Sequence, residues 1–196
     1  MIIKEKPIKN YKGLEGVLRY ILSKEVDDGF IHTRFIGGDR AFKKQMEASG
    51  DDAQTHSIIA ERRLQNMLAV YKQNDAKRIH KRSNETKFHH SIISFHKADK
   101  LSAEDLLKTC KQFIKVRYPK SIVCGVSHHD KSHLHIHVIG SHVQLSGVTN
   151  YYTKKQFSEV KNRMELWQDK ELNVSHSKVL HVKKKSKAYL KMRNTN

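Results

Sequence analysis

The sequence predicts an α+β fold in which helices pack on one face of a mostly antiparallel central sheet. Three observations lead there. Stretches with helical spacing of apolar residues are interleaved with short β-branched runs. Two of those runs, 121–127 and 134–143, flank a short polar turn, the arrangement of an antiparallel hairpin. The chain has no internal repeat, and at 196 residues it fits one domain that can bury roughly 70% of its unfolded surface. The expected organisation is a folded unit over 1–175 and a basic C-terminal tail, 176–196.

Taken in order, Leu14, Val17, Leu18, Ile21 and Leu22 lie on one stripe and predict a short amphipathic helix over 13–24. Residues 37–54 are rich in Gly, Asp and Lys with little periodicity and read as a loop. Ile59, Ala60, Leu64, Met67, Leu68 and Tyr71 recur at helical spacing, and the polar, basic stretch 72–87 after them reads as a connector. The run FHHSIISF at 88–95 is short and β-branched, hence a strand. Ser102 followed by Asp105 resembles a capping box, and Leu106, Leu107, Cys110, Phe113 and Ile114 form the buried face of a helix that ends before Pro119. A last helix, about 153–172, carries Phe157, Val160, Met164 and Trp167 on one side.

Charge narrows the function classes. Lys and Arg number 38 against 20 Asp and Glu, a formal charge of +18, and this excess favours a polyanionic partner. No apolar run approaches the 18 or more residues a membrane span needs, and the start, MIIKEKPIKNYKG, has no signal-peptide apolar region, so a cytoplasmic protein without membrane insertion is expected. Cys110 and Cys124 fall in a helical and a strand pattern, as buried thiols of a reducing compartment would.

Chemistry concentrates in the histidines. Of 14 in the chain, His128, His129, His133, His135 and His137 occur within ten positions. On a strand over 134–143, His133, His135 and His137 point to one face and Leu134, Ile136 and Val138 to the other. A turn at 130–132 would bring His128 back over His135 and His137. Converging neutral imidazoles are costly to bury unsatisfied, whereas a divalent cation takes their lone pairs, and a three-histidine set leaves coordination positions open for catalysis. The bland alternative is a solvated histidine-rich hairpin that binds phosphate weakly. Asp130 can orient an imidazole or simply form the turn.

These residues resemble the motifs of mobilisation-type relaxases, members of the HUH endonuclease superfamily. The family's third motif, His-x-Asp, a short spacer and His-x-His, matches His128, Asp130, His135 and His137, with His133 also in phase. The middle motif, a strand with a His and a closing Ser-Phe, matches His90, Ser94 and Phe95. The first, an N-terminal tyrosine in a short helix-like phrase, matches Tyr20 in VLRYILSK. The three follow the family's order over residues 10–145.

The resemblance implies a relaxase, which nicks and rejoins one DNA strand at a transfer origin during plasmid or mobile-element mobilisation through a 5′-phosphotyrosyl intermediate. Tyr20 and Asp130 would then be catalytic, and His128, His135 and His137 would hold the metal, with His133 as a possible ligand. Mn or Mg is the expected ion, although Zn, Co and Ni also suit imidazole. Tyr20 lies off the Leu14, Leu18, Ile21 stripe, so its hydroxyl can face a cleft; without the family match it would read as an ordinary tyrosine at the core's edge. Tyr11, Tyr151 and Tyr152 are the rival nucleophiles.

The partner implied is single-stranded or supercoiled origin DNA, with accessory relaxosome proteins. Contacts to it are expected from His90 and Ser94, from Lys81 and Arg82 in the basic connector, and from Lys183, Lys184 and Lys185 in the tail. Two other readings stay open at this level: a replication initiator or transposase nuclease of the same chemistry, and a non-catalytic nucleic-acid-binding module with structural histidines.

Overall fold

A computed structural model describes residues 1–23, 29–96, 98–129, 134–172 and 174–177. The element order is β1 (Ile2–Ile8), α1 (Tyr11–Ser23), β2 (Ile31–Arg34), α2 (Asp39–Ala48), α3 (Ala53–Ala76), β3 (Phe88–Phe95), α4 (Ala103–Arg117), β4 (Ser121–His129), β5 (Leu134–Gln144) and α5 (Lys154–Glu171). The strands form one sheet in the order β1-β3-β5-β4-β2, every neighbouring pair antiparallel. The fold is α+β as the sequence predicts, with the β4–β5 hairpin near its centre.

The helices occupy both faces, which corrects the expectation of one. On one side Ile93, Phe95, Ile136 and Val138 meet Leu106, Cys110 and Phe113 of α4 and Val160 and Met164 of α5. On the other, Phe88, Ile139, Cys124 and Val126 meet Leu14, Leu18 and Ile21 of α1 and Leu64, Met67 and Tyr71 of α3. Both faces are covered because β4 and β5 are apolar on both sides, leaving neither face fit for water.

Three elements escape the sequence signals. Strands β1 and β2 are the two edges of the sheet; β1 mixes charged residues with Pro7, a residue tolerated at an edge, and β2 is only four residues long. The 37–54 loop is the second correction: it contains helix α2 and the start of α3. Helix α2 rests on α3 with only two half-buried apolar side chains, Phe42 and Met46, too few to register as a period. The first turns of α3 are polar, and Asp52 caps them by accepting from the Gln54 amide. The two capping boxes, Ser102 with Asp105 and Thr153 with Gln156, start α4 and α5.

Gly140 in β5 has a packing reason. A Cβ there would lie 2.3 Å from the ring of Tyr118, which is fully buried and donates from its hydroxyl to Glu5 at 2.9 Å. Gly140→Ala should therefore destabilise by about 3 kcal/mol, lowering Tm by roughly 6 to 12 °C in thermal denaturation.

Beside Tyr118, the buried Arg117 guanidinium donates to both Glu5 carboxylate oxygens at 3.1 Å and covers the Tyr152 ring at 4.2 Å. His89 and His142 pack against each other there, ring centroids 4.7 Å apart, and burial lowers each to about 4. Both are neutral in the folded chain at pH 7. Between about pH 6.5 and 4 the unfolded chain binds protons that the folded chain refuses, so stability falls as the pH drops through that window. The loss is on the order of 3 kcal/mol per imidazole. Glu5 reinforces it at lower pH: burial alone would raise its carboxyl, but Arg117 outweighs burial and holds it below its usual value. Urea unfolding at pH 7 and pH 4.5 measures the difference.

Candidate active site

The hairpin register sets the site. His128 on β4 lies directly opposite His135 on β5, and His137, two residues on, shares that face. Ring centroids are 5.6 Å apart for His128 and His135, 4.6 Å for His128 and His137, and 4.9 Å for His135 and His137. One nitrogen from each ring lies within 4.8 Å of the other two, close enough to share one cation. Ile136 and Val138 fill the opposite face, as the alternation predicts.

Surrounding groups set how these rings present their nitrogens. His128 is fully buried, and its Nε2–H donates to the Ile21 carbonyl near the end of α1 at 2.9 Å. The other ring nitrogen, Nδ1, is buried and without a hydrogen-bond partner among the described residues. His137 Nδ1 lies 2.7 Å from His90 Nε2. Burial, with Lys6 and His128 adding to it, lowers His90 to about 4, so His90 is neutral. Three imidazoles within reach of one cation, one of them presenting a buried nitrogen that no hydrogen bond uses among the described residues, are a donor set that fits a divalent cation.

Helix α1 carries Tyr20 to the same place. Leu14, Leu18 and Ile21 fix its inner face, while Tyr20 is 43% exposed and stands edge-on to His128 and His137, ring centroids 5.9 and 5.8 Å away. Ser94 pairs with His135 across the β3–β5 ladder. The cleft of about 560 Å³ at this end of the sheet is lined by Lys4, Tyr20, Ser94, His135, His137 and His176, among others.

Residues 39–182 match the family described as relaxase, MobA/VirD2-like, nuclease domain. The chain belongs to that relaxase family. No curated protein and no solved structure gives a significant match. The matched span holds β3 and the whole β4–β5 hairpin, and Tyr20 precedes it.

The relaxase thus brings together six of the residues singled out from sequence: Tyr20, His90, Ser94, His128, His135 and His137. Lys81 and Arg82 are not among them. They are exposed, in the connector that meets the sheet where Lys87 N–H donates to Ile8, roughly 20 Å along β3 from Ser94. Asp130, His133, Lys183, Lys184 and Lys185 lie outside the described residues. Tyr11 sits at that far end, donating to Asp75 at 2.8 Å, and Tyr152 covers Arg117 on the opposite face, so neither of these two rivals stands beside His128, His135 and His137 as Tyr20 does. Sequence reasoning missed the contact of His90 with His137 and the Ile21 carbonyl behind His128. Strand order makes the first and helix docking the second, and neither leaves a local pattern. No helix among the described residues is long and apolar enough to cross a membrane.

Proposed function

We propose that this relaxase nicks and rejoins one strand of DNA at a transfer origin during mobilisation, with Tyr20 as nucleophile beside a metal held by His128, His135 and His137. The observation that carries the reading is the phenol ring standing edge-on to two imidazoles of a set that fits a cation, at a cleft that Tyr20, His135 and His137 line. A bound divalent ion would supply positive charge to the non-bridging oxygens of the scissile phosphate. Imidazole ligands accept Mn, Zn, Co or Ni, and Mn or Mg is the choice favoured here.

The chain's own groups do the rest. The Tyr20 oxygen bonds to phosphorus as the bond to the 3′ oxygen breaks, and the phenolic proton finishes on the 3′ hydroxyl. The product is a 5′-phosphotyrosyl strand, close in energy to the bond it replaces, so the same step in reverse rejoins ends. His90 acts through His137: accepting its Nδ1–H holds the Nε2 lone pair toward the cation. Asp130 has the corresponding orienting role, and Ser94 lines the path of the strand. Lys81, Arg82, Lys183, Lys184 and Lys185 contribute phosphate contacts that position the strand without reading its sequence. The reaction takes place in the cytoplasm on single-stranded or supercoiled DNA, with accessory relaxosome proteins.

The direct test incubates the protein with a pool of single-stranded origin fragments and Mn or Mg, then maps the covalently labelled residue by mass spectrometry. Label on Tyr20 is expected. Label on Tyr151 or Tyr152 would instead indicate the replication-initiator arrangement, and neither adduct nor cleavage would indicate a non-catalytic binding module.

A further inference from the structure

We propose that His96 and His176 form a stacking wall of the cleft that takes a nucleobase of single-stranded DNA. The inference rests on reading the cleft as the DNA site. His96 follows the last residue of β3 and is exposed; His176 belongs to the segment after α5, and its side chain is 53% exposed. The two come from positions 80 apart in sequence, yet their rings stack with centroids 5.4 Å apart and planes 21° from parallel. Both line the same cleft as Tyr20, His135 and His137.

The pair is built into the fold. Asp99, 3% exposed, accepts from the backbone amides of Ser175 and His176, both at 3.0 Å, and faces His176 Nδ1 at 3.4 Å. Ser177 Oγ accepts from the His96 amide at 2.7 Å, tying the segment to the end of β3 from the other side. Burial alone would raise the Asp99 carboxyl, but Ser177 and the amides of 175 and 176 bring it to about 2, so the clasp stays charged at any working pH. Each ring has its Nδ1 edge engaged within the chain, His96 accepting from the Ala98 amide at 3.2 Å and His176 meeting Ser175 Oγ at 2.9 Å. What the two rings offer outward is flat aromatic surface beside a cleft of a strongly basic chain. Single-stranded nucleic acid is bound by that combination, a cationic track for the backbone and a π face for a base, with little dependence on sequence.

The test uses the full chain in a Tyr20→Phe background and fluorescence anisotropy with two probes, a labelled oligo-dT 20-mer and the same length of abasic strand. The preference for dT over the abasic strand should shrink by about fivefold or more in His176→Ala and in His96→Ala, as loss of one base stack implies. His176→Trp should keep the preference, because it keeps a ring. An unchanged preference in both alanine variants overturns the proposal. So does recovery of dT affinity by His176→Lys but not by His176→Trp, which would mark a cationic phosphate contact, and so does failure of the parent chain to bind dT at all. A chain that shows the stacking preference but never forms an adduct on origin DNA would retire the nuclease reading and leave this inference standing. Adduct formation with an unchanged preference in the alanine variants would do the opposite.

Discussion

Tyr20→Phe is expected to lower covalent capture of origin DNA by at least about 10³-fold while leaving DNA affinity and folding unchanged. The substitution removes one oxygen and keeps the ring, so the edge contacts with His128 and His137 persist. Tyr20 is 43% exposed and outside the buried stripe of α1, and changes at such positions usually cost no more than about 0.5 kcal/mol. Denaturing gel analysis of labelled single strands reads the adduct, and anisotropy on the same strands reads binding. A variant that captures DNA at the parent rate would remove Tyr20 from the reaction. A variant that loses affinity in step with capture would make it a binding residue only.

The second large effect concerns the cation. His135 is the half-buried member of the trio, so His135→Ala removes one proposed ligand with little disturbance to the core. Affinity for Mn should fall by at least about 100-fold, since loss of a mere orienting partner of a ligand already costs about 10- to 100-fold. His90→Ala falls in that smaller class, because it leaves the three proposed ligands in place and removes only the imidazole 2.7 Å from His137 Nδ1. Isothermal titration with Mn separates the two variants. A thermal shift supports the same comparison: saturation to about 100 times Kd stabilises the parent by about 2.7 kcal/mol, and His135→Ala should lose most of that gain at the same Mn concentration. Equal affinity in parent and His135→Ala would dismiss the three-histidine centre, and with it the rationale for cation-assisted nicking. His128→Ala is the poorer probe, for it also empties a fully buried position that Ile21 holds.

Much of the site was legible in the chain because its main part is local. His128, His135 and His137 belong to one hairpin, and a two-residue period next to Ile136 and Val138 is enough to put the imidazoles on one face. The same applies to α4 and α5, whose capping residues and apolar stripes are written in consecutive residues. The place of Tyr20 beside the histidines was reachable by a weaker route: the helical stripe says where it does not point, and only the family's motif order singles it out from Tyr11, which stands half-buried and bonded to Asp75 at the far end of the sheet. The edge strands β1 and β2 and the helix α2 were not legible. Each buries little, and a segment that buries little carries little hydrophobic pattern, whatever its backbone does.

What the sequence determined by itself was the α+β class, the histidine face of the hairpin and the basic character of the chain, all of which follow from residues near one another or from composition. Only the tertiary structure decided that helices cover both faces, that His90 stands behind His137, that the Ile21 carbonyl sets the ring of His128, and that Asp99 brings His176 onto His96. Those pairings join residues 47 to 107 positions apart across strand order and helix docking. Such long-range contacts result from packing the whole chain at once, and no local period encodes them.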